Sequence, residues 1–196
     1  ILWDVNLIRL VVPQEPPTGL TQAVIAIVCI GLLSGLITSL AASAISRAKK
    51  WQAPPWVRLS IGGLVLTADA VVLAMIAAPS VAFGPGGGAI LWAETHAALP
   101  LTLVLVALLR AVSTTAATAA GGCGGIFVPF LAIGDIAGRV FAPGLGLGGD
   151  LAGAAGAAAG IAGGYRLPFT AIAMVLGVGG PPTATLTCLG VVAVAY

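Results

Sequence analysis

The chain has 196 residues, 59% of them hydrophobic and 7% charged, with a mean hydropathy of +1.13. Soluble domains carry roughly a quarter charged residues, so eight Lys and Arg with six Asp and Glu leave too little polar surface for a soluble globule. The basic residues are also too scattered for a nucleic-acid-binding face, and the composition predicts a polytopic membrane protein whose first partner is the lipid bilayer.

Residues 1–19, "ILWDVNLIRLVVPQEPPTG", alternate in character before a proline cluster and read as an interfacial linker. Residues 20–196 read as the transmembrane helical region. Residues 20–45 form an uninterrupted apolar run, long enough to span a bilayer with some tilt. Residues 46–58, "SRAKKWQAPPWVR", carry Arg47, Lys49, Lys50 and Arg58, half of the basic residues, beside Trp51 and Trp56. The positive-inside rule places this loop in the cytoplasm, with the tryptophans at headgroup level. Residues 59–79 return across, residues 80–100 read as a Gly/Pro break holding a short helix at most, and residues 101–120 span again.

Beyond Ala120 the pattern changes. Residues 125–141, 151–164 and 166–178 are apolar but short of a full span, and Gly and Pro interrupt them. Freed backbone groups are tolerated in lipid only where protein or a wet cavity satisfies them, and such broken helices point to an ion or substrate site. The expected fold is therefore all-α, with tilted, broken and re-entrant helices. Gly153, Gly156, Gly160, Gly163 and Gly164 would let helices approach closely.

The densest knot is "GGCGGIFVPF", residues 121–130. A helix that begins here exposes its first N–H groups without intrahelical acceptors, and its macrodipole places roughly half a positive charge there. Gly124 and Gly125 permit close backbone approach. Pro129 suits a first helical turn because its missing donor costs nothing there. The candidate site is thus an anion cradle of backbone amides from Gly125, Ile126, Phe127 and Val128, shaped by Gly124 and Pro129. The alternative is a plain re-entrant turn packing glycine against a neighbouring helix. No G-x-x-x-x-G-K-[ST] motif supports a nucleotide site.

"GGIFVPF" resembles the G-x-F-x-P signature of the CLC family of chloride channels and chloride/proton antiporters. "LLRAVSTT", with Arg110, Thr114 and Thr115, resembles the family's R-x-x-[ST]-T stretch on the preceding helix. "GDIAGR", residues 134–139, is similar to the G-x-x-x-G-R turn, and "YRLPFTAIAMVLG" to the family's R-x-P-x-T-x-I helix through Arg166, Pro168, Thr170 and Ile172. "TCLGVVAVAY" is similar to the helix after it. The resemblance implies anion transport by a channel or antiporter, chloride as the transported ligand, no cofactor, no enzymatic activity, a homodimer with one pore per subunit, and a multi-pass protein of a plasma or inner membrane.

The match is to the C-terminal half of such a protein. Motifs of the type G-S-G-I-P and G-K/R-E-G-P do not occur, and Gly177 stands where the family usually has a glutamate. Ile1 is not Met, and the last apolar run is shorter than the ~20 residues of a spanning helix; both ends read as cuts through a larger protein whose N-terminal half is the implied partner. A non-transporting scaffold or inactive fragment is the competing reading, and fluoride is an alternative anion.

Other residues invite separate readings. Asp69 lies mid-span and is a functional suspect or a structural partner of a group such as Arg110. Arg110 is expected to hydrogen-bond buried carbonyls, and Asp135 with Arg139 has the spacing of an i,i+4 ion pair. Glu94 and the single histidine, His96, read as a solvated rim near the end of a short helix; one histidine builds no multi-His metal site. Cys29, Cys123 and Cys188 read as small hydrophobes. "GLLSG" around Ser34 lacks the G-x-S-x-G spacing of a serine nucleophile.

Overall fold

The computed structural model of the chain describes residues 12, 13, 15–17, 19–122 and 124–196. The predicted interfacial linker falls largely outside the described residues, as does Cys123. Among the described residues there are ten helices and no strand, as the composition requires. Three are long and apolar enough to cross a membrane: α1 (Leu20–Lys49), α2 (Pro55–Ile76) and α5 (Pro100–Ala119). Between α2 and α5 lie the short α3 (Pro79–Ala82) and α4 (Gly87–Thr95). The broken half follows as α6 (Phe127–Arg139), α7 (Ala142–Leu145), α8 (Gly149–Tyr165), α9 (Pro168–Val178) and α10 (Pro182–Ala195).

Helix starts follow the prolines. Pro55, Pro79, Pro100, Pro168 and Pro182 each occupy the first position of a helix, where φ is already helical and the missing N–H had no acceptor to lose. The 30 residues of α1 make a rod about 45 Å long at 1.5 Å per residue, longer than a hydrocarbon core of about 30 Å. Its last turn carries Arg47 and Lys49, cations that suit a helix C-terminus. The helix therefore consumes the start of the predicted loop, leaving residues 50–54 between α1 and α2. Trp51 and Trp56 are both exposed.

The interior is built around α8, which packs against α6, α1, α10 and α9. Residues 151–163 of this Gly/Ala helix are buried apart from the half-buried Ala154, and it has little side-chain bulk to hold neighbours away. Gly134 and Gly138 of α6 face Gly156 and Gly160 of α8 backbone to backbone. A Cβ on Gly160 would lie 2.5 Å from the Phe130 carbonyl oxygen. On the other side, a Cβ on Gly163 would meet the Gly35 Cα of α1 at 2.9 Å. Without a hydrophobic drive between helices in lipid, such close approach supplies the dispersion contacts that hold them.

Hydroxyls tie the same helices. Ser34 donates to the Gly134 carbonyl at 3.2 Å and Ser39 to the Gly163 carbonyl at 3.3 Å. Ser34 is thus a buried bracket between α1 and α6. Arg139 Nε donates to Asp135 Oδ1 at 2.7 Å, confirming the ion pair, and the pair is buried. Glu94 corrects the expectation of a solvated rim. Its side chain is 13% exposed and its Oε1 lies 3.8 Å from Arg139 Nη2, so it joins α4 to the buried pair. His96 is exposed, with its ring stacked on Trp92 at 5.9 Å. Cys188 is buried and Cys29 half-buried.

Candidate functional site

α5 ends at Ala119, and the Gly-rich segment leads into α6 at Phe127, with Ile126 as its N-cap residue. The first hydrogen bond of the new helix is donated by the Phe130 N–H to the Ile126 carbonyl, at 3.1 Å. The amides of Ile126, Phe127 and Val128 therefore precede the intrahelical ladder, and Pro129 has none to satisfy. Gly124 and Gly125 are exposed, and a Cβ on either would touch nothing within 4 Å. Ile126, Phe127, Val128 and Pro129 are half-buried.

Gly124, Gly125, Ile126 and Pro129 line a cavity of about 720 Å³ that also reaches α2, the α3–α4 segment and α5. Phe127 and Val128 lie off that lining. Gly86 packs here against α6: a Cβ at this residue would lie 3.5 Å from the Val128 carbonyl oxygen and 3.7 Å from Arg110 Nη2. Its φ of +136° is a conformation open to glycine.

Arg110 and Ser113 of α5 contribute to the same wall. Arg110 is buried and gives its terminal nitrogens to the carbonyls of Val81, at 3.3 Å, and Gly84, at 3.0 Å, as its sequence suggests. Its Nε has no hydrogen-bond partner among the described residues. Asp69 of α2 is also buried, but its hydrogen bond comes from the Ser113 hydroxyl, onto Oδ2, rather than from Arg110. Asp69 Oδ1 has no hydrogen-bond partner among the described residues, although the guanidinium is within electrostatic reach.

Tyr165, at the end of α8, is the residue that sequence reasoning missed. Its ring sits 6.0 Å from Phe127 and meets Phe130 edge-on at 5.3 Å. Its hydroxyl lies within electrostatic reach of the Ile126 N–H. Arg166 follows in a left-handed conformation, φ 55°, which turns the chain sharply from α8 into α9. No local pattern links Tyr165 to the glycine knot, because the contact exists only once α6 and α8 cross.

A broken helix that opens on a largely apolar cavity, framed by long apolar helices, defines a polytopic membrane protein. A family model described as "Voltage gated chloride channel" matches residues 6–196, and the chain belongs to that family, bearing out the resemblance carried by "GGIFVPF" and its companion motifs. Among solved structures, the chain superposes on a CLC-type fluoride/proton antiporter with a TM-score of 0.76 and 26% identity, covering 95% of this chain and 46% of that one. It superposes on a slow cyanobacterial Cl−/H+ antiporter with a TM-score of 0.72 and 25% identity, covering 96% and 45%. The chain thus spans less than half the length of these solved relatives. No curated protein sequence matches it significantly.

Proposed function

We propose that the chain forms the C-terminal part of a pathway for chloride or a similar small anion, coupled to proton movement, in an integral membrane transporter. The observation that carries this reading is the family's G-x-F-x-P sequence placed where α6 opens on the cavity. Backbone amides from Gly125 to Val128 bind the anion, with Gly124 and Pro129 shaping the approach. Amide dipoles replace part of the ion's hydration shell without a full cationic side chain at contact distance, so binding stays weak enough for release. Arg110, set back in the wall with both terminal nitrogens engaged, raises the local potential for an anion. Proton coupling is supported by the antiporter character of both solved relatives.

Partners and membrane placement belong to the same reading. The pore is completed by the N-terminal half, the transporter works as a homodimer, and the loop at 46–58 faces the cytoplasm. Fluoride is the second reading for the anion, favoured by the fluoride/proton antiporter among the solved relatives.

The test is anion efflux from liposomes holding the full-length protein, with chloride or fluoride loaded and external pH recorded. Transport with a defined halide preference is expected. Phe127→Ala and Pro129→Ala should each change halide affinity measured by calorimetry; unchanged affinity in both removes the site assignment.

A further inference from the structure

We propose that Asp69 is a proton-binding site served from the cavity by the Ser113 hydroxyl, an assignment that rests on the coupled-transport reading above. Three observations meet at this residue. Asp69 is a buried carboxyl, 5% exposed, in the second half of a helix long and apolar enough to cross a membrane. Its Oδ2 is hydrogen-bonded by Ser113 of α5, and its Oδ1 has no hydrogen-bond partner among the described residues. Ser113 itself lines the cavity onto which the α6 amides open. A membrane interior makes an ionisable group costly to keep unless it pairs fully or serves an ion path. The nearest opposite charge leaves the pairing incomplete, because Arg110 spends both terminal nitrogens on the Val81 and Gly84 carbonyls.

The relay is short and balanced. A hydronium or water in the cavity gives a proton to Ser113 Oγ as the serine's own proton passes along the existing hydrogen bond to Asp69 Oδ2. One O–H bond breaks and one forms at the serine, the carboxylate becomes a neutral acid, and the cavity loses one proton. Among the described residues, the charged groups facing the site are few. Arg110 on α5 is one; α3, with sequence PSVA, supplies none. On α2 itself the other ionisable residue is Arg58, whose Nε donates to the Ala119 carbonyl at 3.0 Å at the far end of the helix.

This geometry sets the carboxyl one hydrogen bond behind the wall of the chamber onto which the α6 amides open. A halide at the α6 amides and a charged Asp69 repel each other, so each halide bound favours protonation of Asp69, and linkage makes the effect mutual. Asp69 and Ser113 thereby act on coupling rather than on anion contact.

The experiment uses the full-length protein in liposomes with a chloride gradient, recording chloride and proton fluxes together in wild type, Asp69→Asn and Ser113→Ala. Wild type should drive protons against the chloride gradient. Both variants should lower the proton-to-chloride flux ratio at least tenfold while chloride movement continues. Ser113→Ala keeps the carboxyl and reports on the relay even where Asp69→Asn does not fold. A wild-type flux ratio in either folded variant overturns the proposal, as does a wild type that moves chloride without protons. A wild type that moves no anion at all instead removes the transport reading beneath it.

Discussion

Gly134 and Gly156 each occupy the space that a side chain on the other would need. A Cβ on either residue overlaps the carbonyl oxygen of its partner, and the Cα of Gly160 lies 3.0 Å from the same point on Gly134. Backbone lies on both sides, so no rotamer can relieve the overlap. Gly134→Ala should therefore lower stability by about 3 kcal/mol or more, the upper range for overpacked interiors. Gly63→Ala on α2, where a Cβ touches nothing within 4 Å, should instead raise it by about 1 kcal/mol through helix propensity. Thermal unfolding of the full-length protein in detergent reads both; equal midpoints would contradict the crossing.

The buried Asp135–Arg139 pair depends on a second glycine. A Cβ on Gly153 would lie 2.5 Å from Asp135 Oδ2 and 2.6 Å from Arg139 Nη2. Asp135→Ala strands a buried guanidinium whose other described ion-pair partner, Glu94, lies 3.8 Å away, and should cost about 3–5 kcal/mol. Replacing both partners by leucine should cost less than the single change, since the guanidinium leaves together with its closest carboxylate. A double-mutant cycle on the unfolding midpoint measures the difference.

Tyr165 brings its hydroxyl within reach of the Ile126 amide while its ring packs on Phe127 and Phe130. Tyr165→Phe keeps the rings and removes the oxygen that competes for the amide. Halide affinity should rise roughly fivefold, the equivalent of one net hydrogen bond of about 1 kcal/mol. Calorimetric titration with chloride decides it. A weakened affinity would show that the hydroxyl helps to hold the anion instead of competing with it.

Arg166 is the non-glycine residue with positive φ among those described. A left-handed backbone costs an L residue about 1–2 kcal/mol. Arg166→Gly removes that cost but adds freedom to the unfolded chain, so the net change should be small, within about 1 kcal/mol. A large loss of stability would assign the arginine side chain an essential contact.

Much of the local architecture was legible before folding. Uninterrupted apolar runs outlined α1, α2 and α5, and the Gly/Pro breaks marked the broken half. The boundary errors have local causes. Favourable cations in its last turn carried α1 into the loop predicted at 46–58, and the prolines set the next start. Arg110 on carbonyls and Arg139 on Asp135 were readable because one arginine in an apolar span must find acceptors and one acid sits a helical turn away.

Other contacts had no local sign. Glu94 looks like a rim residue until α4 is laid against α6, and Asp69 could have chosen Arg110 as readily as Ser113. Tyr165 meets Ile126 only because four glycines bring α6 and α8 together. Composition and local pattern by themselves determined a helical membrane protein with a G-x-F-x-P turn opening a broken helix. The tertiary structure alone decided which polar groups share the cavity at that turn, because contacts between helices depend on approach distance and rotation, and those emerge only from many small residues packing at once.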